Sequence, residues 1–358
     1  MKISDTLSSL GHQVTICAER WDGEFPQRHC VQLFPSKKLT NHGRAKSFSH
    51  SIKRYIDLQH PDLVIGFNRM PYLDAYFAAD VCYAETVAQL PCIHGLLYKL
   101  TPRCRTFLEF EQAVFGSDSK TRILFLDEHQ RDVYRKNYNF DESRYMILPL
   151  GISPNCHYDR YTREELTKCR HSWGVADHEL LFLQVGSDFK RKGVDRSMRA
   201  FASLPDHIRA SSKLVVVGKD DVAPFSSIAT ELNISQNVIF THGIPDASML
   251  IAAADVLIHP ARRENTGTVI VEALAVGTPV IVTSACGFSH YVAESQGGIV
   301  IADPDDRAFK QEELNEGVLH FASDVSFRQR CIDSATRFAR LLNMPAMPDV
   351  AVNYLTNL

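Results

Sequence analysis

The sequence predicts an α/β protein with two domains, each built on a parallel β-sheet. Its length of 358 residues suits about two domains. Apolar runs of strand length alternate with helical patterns along most of the chain, which is typical of consecutive βα units. The pattern is interrupted at Pro149–Ile152 and by the polar segment Ser153–Tyr161. We therefore predict one domain over residues 1–150 and a second over residues 151–344, with residues from about 345 to 358 crossing back to the first domain.

The first domain begins with a predicted helix instead of the strand that normally opens a doubly wound domain. Ile3, Leu7 and Leu10 recur on one side of Met1–Leu10, and Gly11 is placed to end that helix. Further apolar runs predict strands at Gln13–Ala18, Cys30–Phe34, Asp62–Phe67, the Ala78–Tyr83 region, Arg122–Leu126 and Tyr145–Leu148. Since the opening strand and its glycine-rich turn are missing from the pattern, we expect an incomplete first domain.

The second domain shows a more regular, Rossmann-like alternation of six βα units. Its strands are predicted at Leu180–Val185, Leu214–Val217, Val238–Thr241, Val256–His259, Val280–Thr283 and Ile299–Ala302. Ligands of such sheets bind beyond the carboxyl ends of the strands. The loops after the first, third and fourth strands are therefore expected to converge on one ligand.

Composition excludes several classes of function. The net charge of −3 and the absence of a long Lys/Arg stripe argue against nucleic-acid binding. The nine cysteines are scattered without C-x2-C pairs, which predicts free thiols in a reducing cytoplasm. The longest apolar runs have the length of strands, so no segment is expected to span a membrane. The oligomeric state stays open.

The loop after the fourth strand places two carboxylates, Glu264 and Glu272, on either side of a predicted helix start. Glu264 is expected in the loop and Glu272 inside the helix, so each side chain can reach a different part of one elongated ligand. Between them, the amides of Thr266, Gly267 and Thr268 are expected to be first-turn donors, which suit a phosphate. This arrangement predicts a sugar-nucleotide site. The alternative is a surface helix whose glutamates face water.

The loop after the first strand carries two adjacent cations, Arg191 and Lys192, and follows Gly186 and Ser187. Arg can hold phosphate oxygens with a bidentate fork and Lys acts as a point charge, so the pair suits a diphosphate leaving group. The alternative for such a pair is a solvated surface.

Backbone at Gly243 and Ile244, after the third strand, is positioned to approach a nucleotide base, although a glycine after a strand is also an ordinary turn.

Asp303-Pro304-Asp305 follows the last strand and resembles the D-x-D motif of metal-dependent sugar transferases. Aspartate and proline are also common at turns and helix starts, and we predict that this segment caps a helix. No required metal is therefore expected.

Polar loops also follow strands of the first domain. They contain Asn41 and His42, Asn68 and Arg69, and Asp80, among which Asn68 and Asp80 are the stronger candidates for contacts with an acceptor.

The segment Tyr98–Phe110 mixes basic residues with aromatic and aliphatic ones, and Pro102 is placed to start a helix within it. This composition suits an interfacial helix on anionic lipid. The alternative on composition alone is a helix that faces the core and has a basic outer face.

The second half of the chain resembles the retaining GT-B glycosyltransferases of family 4. The resemblance rests on Pro149-Leu150-Gly151-Ile152, Val185-Gly186-Ser187 with Arg191-Lys192-Gly193, Ala254-Asp255-Val256, His259-Pro260, and Glu264-x7-Glu272 followed by Ala273-Leu274-Ala275. It implies two Rossmann-like domains facing across a cleft, the N-terminal one incomplete.

Motifs of the first half, such as Thr40-Asn41-His42-Gly43-Arg44 and Tyr76–Glu85, are similar to those of the family's lipopolysaccharide inner-core glucosyltransferases. That likeness implies transfer of glucose from UDP-glucose to heptose of the lipopolysaccharide core. It also implies a cytoplasmic enzyme that is peripheral on the anionic surface of the inner membrane.

The resemblance assigns roles to individual residues. It implies that Glu272 binds the ribose, that Glu264 binds the donor glucose, and that Arg191 and Lys192 hold the diphosphate. The implied donor site also contains Gly186, Ser187, Gly243, Ile244, Thr266, Gly267, Thr268 and Val269. Asp80 joins Glu264, Arg191 and Lys192 as a catalytic candidate. The implied acceptor residues are Asn41, His42, Asn68 and Arg69, and the implied membrane-binding residues are Lys99, Arg103 and Arg105.

One departure from the family concerns the start of the chain. The family begins with a strand and a Gly-Gly loop, and neither is found here. Without a central first strand, its two neighbours are expected to lack ladder partners, at a cost of roughly 1 to 3 kcal/mol for each buried unpaired backbone group. Our hypothesis is that Met1 is an internal methionine, with about fifteen to twenty residues upstream.

Two alternatives to this function remain open. One is a related transferase with a different donor sugar or acceptor. The other is a truncated, catalytically impaired protein that binds the donor.

Overall fold

The structure, a computed structural model, describes residues 2–303, 308–342 and 346–356. It divides into two compact units. The N-terminal unit comprises Met1–Gly151 and Met344–Leu358, and the C-terminal unit comprises Ile152–Asn343. These limits lie within one residue of the domain limits that the sequence predicts.

The N-terminal unit has an α/β architecture with short parallel strands. Its strands are β1 (Thr15–Ala18), β2 (Cys30–Leu33), β3 (Ile65–Gly66), β4 (Ala75–Phe77), β5 (Arg122–Phe125) and β6 (Tyr145–Ile147). Its helices are α1 (Lys2–Ser9), α2 (Asn41–Gln59), α3 (Tyr83–Ala88), α4 (Cys92–Lys99), α5 (Pro102–Phe115), α6 (Glu128–Asn137) and, near the C-terminus of the chain, α16 (Met347–Thr356).

The strands of the N-terminal unit form two separate sheets. β1 pairs with β2, and the other sheet has the order β3-β4-β5-β6. Within the described residues, β1 and β3 therefore each pair on one side only. A groove of about 1450 Å³ is lined by all residues of both strands. The groove thus separates β1 from β3, which share no ladder hydrogen bonds, and the missing central strand stays a prediction.

Side chains of the larger sheet alternate between two apolar clusters, as the period of two in a strand requires. Tyr76 and Ile123 face a cluster that includes α5 and α6, whereas Ala75 and Leu124 face a cluster formed with α1 and α16. The C-terminal helix α16 thus belongs to the N-terminal unit.

Two predictions for this unit are wrong in detail. Leu10 is 59% exposed, because α1 ends at Ser9 and only Ile3 and Leu7 reach the core. The strand predicted near Ala78–Tyr83 is β4, which ends at Phe77. The chain then turns, since the amides of Tyr83 and Ala84 bond to the buried Glu111 carboxylate and α3 begins at Tyr83.

The C-terminal unit alternates strands and helices regularly. Its strands are β7 (Leu180–Val185), β8 (Ser212–Val217), β9 (Val238–Thr241), β10 (Val256–His259), β11 (Val280–Thr283) and β12 (Gly298–Ile301). Its helices are α7 (Arg163–Ser172), α8 (Val194–Ala202), α9 (Asp206–Ala210), α10 (Ala223–Glu231), α11 (Ser248–Ala253), α12 (Thr268–Ala275), α13 (Ser289–Ser295), α14 (Gln311–Ser323) and α15 (Val325–Leu341).

These six strands form one parallel sheet in the order β12-β11-β10-β7-β8-β9. The sequence order reverses between β7 and β10, which is the switch point where open α/β sheets bind ligands. Both strands are buried, with Leu181, Leu183 and Leu257 fully enclosed. The loops after β7 and β10 are therefore carried by buried, central strands of the sheet.

Candidate active site

The loop that follows β7 is held in place by its backbone. Gly186 adopts φ +136° and donates its amide to Val217 of β8 at 2.9 Å. Gly193 adopts φ +72°, and a Cβ there would lie 2.2 Å from the carbonyl oxygen of Pro260. The buried Gln184 donates its side-chain amide to the Lys192 carbonyl at 2.8 Å. These contacts fix the residues on either side of Arg191 and Lys192.

The loop that follows β10 is fixed just as closely. The amide of Glu264 donates to Ala285 at 3.1 Å, and the amide of Gly287 donates to the Glu264 carbonyl at 3.2 Å. A Cβ on Gly287 would lie 1.9 Å from the Asn265 carbonyl oxygen, so only glycine allows this approach. Gly267 then adopts φ +80° and immediately precedes α12.

The two loops bring Glu264, Arg191 and Lys192 together. Glu264 Oε2 accepts from Arg191 Nη1 at 2.9 Å and from Lys192 Nζ. The side chains of Glu264 and Lys192 are only 13% and 12% exposed. Burial opposes ionisation of Glu264, but the nearby Lys192 holds the pKa of its carboxyl well below the usual range. The result is a partly desolvated carboxylate with two cations on one oxygen.

His259, the last residue of β10, lies next to this cluster. Its ring is completely buried, and Nε2 is 3.9 Å from Glu264 Oε2, which is beyond hydrogen-bond distance. Neither ring nitrogen has a hydrogen-bond partner among the described residues. Burial lowers the pKa of this imidazole.

The remaining residues predicted for the donor lie around the same edge. Ser187 Oγ accepts from the amide of Lys219, and a Cβ on Gly243 would lie 2.6 Å from Lys219 Cγ. Lys219 thus sits between these two predicted residues. Ile244 is half-buried in the loop between β9 and α11.

The glutamate pair is placed as predicted, with Glu264 in the loop and Glu272 within α12. Glu272 is half-buried, and its Oε1 accepts from the amide of Ser153 at 3.1 Å. The helix start needs one correction. Because α12 begins at Thr268, the amides of its first turn begin at Thr268 and Val269, and Thr266 lies before the glycine cap.

Among the described residues, Asp303 caps no helix. Its buried carboxylate accepts from Arg196 Nη1 of α8 at 2.7 Å, and the next helix that the structure describes begins at Gln311. Pro304 and Asp305 lie outside the described residues.

In the N-terminal unit, Arg69 joins Asp80 to a buried carboxylate. Arg69 Nη1 donates to Glu111, which is completely buried, and Arg69 Nε is 3.6 Å from Asp80 Oδ2. Tyr76 donates its hydroxyl to Asp80 at 3.2 Å. Although burial opposes it, the nearby Tyr134 and Glu111 raise the pKa of Arg69. Arg69 therefore stays charged beside Asp80, whose side chain is 43% exposed.

Four residues predicted for the acceptor or its chemistry line the groove beside β1 and β3. They are Asn41, Asn68, Arg69 and Asp80. His42 is half-buried in the first turn of α2 and lies outside the groove lining.

Two models of glycosyltransferase families match nearly the whole chain. The model described as Glycosyltransferase Family 4 matches residues 1–155, and the one described as Glycosyl transferases group 1 matches residues 167–338. A relative from Escherichia coli, named lipopolysaccharide glucosyltransferase WaaG, is 39% identical over 99% of this chain and 93% of its own. The chain is a family 4 glycosyltransferase.

Solved structures agree with this assignment. The crystal structure of WaaG covers 100% of this glycosyltransferase and 95% of its own chain, at 39% identity and a TM-score of 0.92. Sucrose-phosphate synthase from Thermosynechococcus elongatus has a TM-score of 0.73 over 99% of this chain and 91% of its own. At 17% identity, the second match bears on the fold alone. Both units thus have the Rossmann-like architecture of GT-B enzymes.

The basic segment of the glycosyltransferase differs from the prediction in its apolar part. Pro102 begins α5, and Lys99, Arg103 and Arg105 are exposed. Phe110 is buried, however, so it does not belong to an outer face. The exposed apolar side chains next to the basic residues are Leu96, Leu97 and Leu100, which are 60–68% exposed. Within the described residues, no helix is long and apolar enough to cross a bilayer.

Sequence reasoning missed three residues of these sites. Glu111 directly follows the segment Tyr98–Phe110 that was interpreted as interfacial, although a carboxylate between Phe110 and Val114 on an apolar helix face was a usable signal. His259 was noted only within a motif. Lys219 follows β8 without any motif, so nothing in its local pattern indicated the site.

Proposed function

We propose that this glycosyltransferase is a retaining glucosyltransferase that moves glucose from UDP-glucose to heptose of the lipopolysaccharide inner core. The observation that carries this proposal is the cluster of Glu264, Arg191 and Lys192 at the switch point of the C-terminal unit. The 39% identity to a protein named lipopolysaccharide glucosyltransferase supports the choice of sugar and acceptor.

The cluster has the chemistry that transfer from a nucleoside diphosphate sugar requires. The leaving diphosphate gains negative charge as the glycosidic bond breaks, and fixed cations stabilise this charge most strongly where water is excluded. Arg191 supplies a planar fork and Lys192 a compact charge. Two cations match the charge of a diphosphate, so we propose a reaction that requires no metal.

The other donor contacts follow from the same edge of the sheet. Amides of Thr268 and Val269 at the start of α12 suit a phosphate oxygen. Glu272 would accept from the ribose hydroxyls and Glu264 from the glucose hydroxyls. Retention of the anomeric configuration would follow from attack on the same face, with the leaving phosphate assisting, so no covalent carboxylate is needed. On the acceptor side, Asp80 and the charged Arg69 would contact the heptose.

The experiment is a turnover assay on heptose-terminated core with UDP-glucose, UDP-galactose and UDP-N-acetylglucosamine, each with and without EDTA. We expect glucose transfer that EDTA does not reduce. Transfer of a different sugar would replace this proposal with a related family 4 activity. Loss of activity with EDTA would refute the metal-independent part.

A donor-binding protein without turnover is the second candidate, and the divided sheet of the N-terminal unit favours it. Calorimetric titration with UDP-glucose separates the two. Binding followed by turnover supports the transferase, and binding without turnover supports the second candidate. Absence of UDP binding would refute both.

We also propose that the enzyme docks on the anionic surface of the inner membrane, at its cytoplasmic face, through Lys99, Arg103 and Arg105. Each basic residue near such a surface contributes about 1 kcal/mol, and the exposed Leu96, Leu97 and Leu100 lie close to them in the chain.

Changing Lys99, Arg103 and Arg105 together to Ser is expected to weaken binding to anionic vesicles by about a hundredfold at low salt, where screening is weakest. Sedimentation with the vesicles measures this change. The control replaces Lys37 and Lys38, which are exposed in the same unit, and should bind as the unmodified protein does. Equal binding by all three proteins would remove the membrane proposal.

A further inference from the structure

His259 is a buried polar group whose position the donor-binding roles do not explain. It ends β10 and pairs in register with Val282 of β11. The ring is fully enclosed, yet neither nitrogen bonds to any described residue. Buried polar side chains are normally hydrogen-bonded, so an imidazole in this condition needs an explanation. Its nearest charged neighbours are Glu264, Lys192 and Arg191, and its own carbonyl accepts weakly from the thiol of Cys286.

The ring points to an oxygen that already has two donors. Glu264 Oε2 accepts from Arg191 Nη1 and Lys192 Nζ, and His259 Nε2 lies 3.9 Å from the same oxygen. A shift of about 1 Å would bring this nitrogen to ordinary hydrogen-bond distance. In this structure, however, Glu264 Oε2 accepts hydrogen bonds from Arg191 and Lys192 instead.

The proposed reaction requires the same cations for the diphosphate. When Arg191 and Lys192 turn to phosphate oxygens, Glu264 loses both of its donors. A carboxylate that is only 13% exposed cannot regain full hydration, so the loss of its partners penalises binding of the diphosphate.

We propose that His259 is a positioning residue that forms a hydrogen bond with Glu264 when the diphosphate of UDP-glucose engages Arg191 and Lys192. In this exchange Nε2–H donates to Glu264 Oε2, which keeps the carboxylate ionised and oriented towards the sugar. The inference rests on the proposed function, because it assumes that the cations bind a diphosphate.

A neutral hydrogen-bond donor suits the role of partner to Glu264 better than another cation does. Burial lowers the pKa of His259, so the ring is uncharged near neutral pH and carries one N–H. It can therefore donate a hydrogen bond to Glu264 without adding a third positive charge to the site. The backbone on either side of Pro260 is held from β11 and the loop after it, since Thr283 Oγ1 donates to the Ala261 carbonyl at 2.6 Å and Cys286 contacts the His259 carbonyl.

The test is a double-mutant cycle on binding of UDP, measured by calorimetry. His259→Leu is expected to weaken UDP binding by about tenfold in the presence of Glu264, which is the low end for a hydrogen bond to a charged group. In the Glu264→Gln background, the same substitution is expected to change UDP binding by less than twofold, because a neutral amide needs no replacement donor. Equal losses in both backgrounds would show that His259 only supports the local packing, and no loss in either would also overturn the proposal.

A matched pair of substitutions keeps the test valid if His259→Leu does not fold. Gln places an amide nitrogen near the position of Nε2, whereas Asn places one near the position of Nδ1. His259→Gln is expected to bind UDP within about threefold of the unmodified protein, and His259→Asn is expected to resemble His259→Leu. Retention by Asn together with loss by Gln would assign the interaction to the wrong nitrogen and refute the proposal.

Failure of this inference can be distinguished from failure of the proposed function. If the unmodified protein binds UDP but transfers no sugar, the proposed function fails while the cycle on UDP still tests His259. If the protein binds neither UDP nor inorganic pyrophosphate, the cations do not take a diphosphate, and the inference is overturned.

Discussion

The two units of this glycosyltransferase differ in the sheets that carry their candidate sites: the C-terminal unit has one continuous sheet, whereas the N-terminal unit has two separate sheets. In the C-terminal unit, the loops after β7 and β10 rest on adjacent central strands of a six-stranded sheet. In the N-terminal unit, β1 and β3 are each paired on one side only and share a groove of about 1450 Å³. A continuous sheet fixes its loops, and these loops hold Glu264, Arg191 and Lys192 together. The residues proposed for the acceptor, around the groove, instead depend on side-chain contacts such as the one between Arg69 and Glu111.

This difference leads to predictions that treat the units separately. The largest expected effect is in the C-terminal unit. Lys192→Ala should lower kcat/KM for UDP-glucose by about a thousandfold, because a fixed cation in a partly desolvated site is removed from a leaving group that gains charge. Steady-state kinetics measures this loss. Lys190→Ala, which alters an exposed lysine of the same loop, should change it by less than threefold. Similar losses for both variants would mean that only the general charge of the loop matters.

The next effect belongs to the N-terminal unit. Glu111→Gln should destabilise it by about 3 kcal/mol, since the completely buried carboxylate holds Arg69, two backbone amides and the hydroxyl of Tyr138. Thermal unfolding should show an early transition while calorimetric binding of UDP is unchanged. Glu109→Gln, on the exposed side of the same helix, is the control. One cooperative transition shifted as a whole would show that the units do not unfold independently.

A smaller effect separates the two glutamates of the donor site. Glu272→Ala should weaken UDP and UDP-glucose equally, by about tenfold, since it removes an interaction with the nucleotide. Glu264→Ala should leave UDP binding nearly unchanged and reduce the preference for UDP-glucose over UDP. Calorimetry with both ligands measures the difference. Equal losses of both ligands in Glu264→Ala would show that its role is wrongly assigned.

The smallest expected effect is a difference in amide hydrogen exchange between the strands of the two units. Backbone amides of β1 and β3 should exchange with deuterium severalfold faster than those of β7 and β10, because edge strands beside a groove open at lower free energy. Hydrogen-exchange mass spectrometry resolves these segments. Equal protection would show that the division of the sheet has no consequence for local stability.

The sequence predicted the C-terminal unit well because its strands are apolar runs, four of which, β7, β8, β10 and β11, are largely buried. Four of its six strands, β7, β9, β10 and β11, have the predicted bounds, and β8 begins two residues earlier. In the N-terminal unit the strands are two to four residues long, and β4 was placed too late because the apolar run continues past its end at Phe77. Short strands with mixed burial give a weak periodic signal.

The candidate site was predictable by residue type but not by pairing. Arg191, Lys192 and Glu264 stand out in their loops, yet their ion pairs join residues 72 and 73 positions apart. Local patterns carry no information on such contacts. In the sequence, His259 is the last residue of an apolar strand. Only the structure shows that its Nε2 lies 3.9 Å from Glu264 Oε2. The role of Glu111 likewise depends on its contact with Arg69, which is 42 residues away in the sequence.

The central proposal is that the C-terminal unit holds a site for a nucleoside diphosphate sugar in which Arg191 and Lys192 bind the diphosphate. Calorimetric titration of UDP-glucose tests it most directly in three proteins: the unmodified chain, the Arg191→Ala, Lys192→Ala double variant and Glu111→Gln. We predict binding of one molecule per chain by the unmodified protein and by Glu111→Gln, with binding lost in the double variant. Undiminished binding by the double variant, or no binding by the unmodified protein, would contradict the claim.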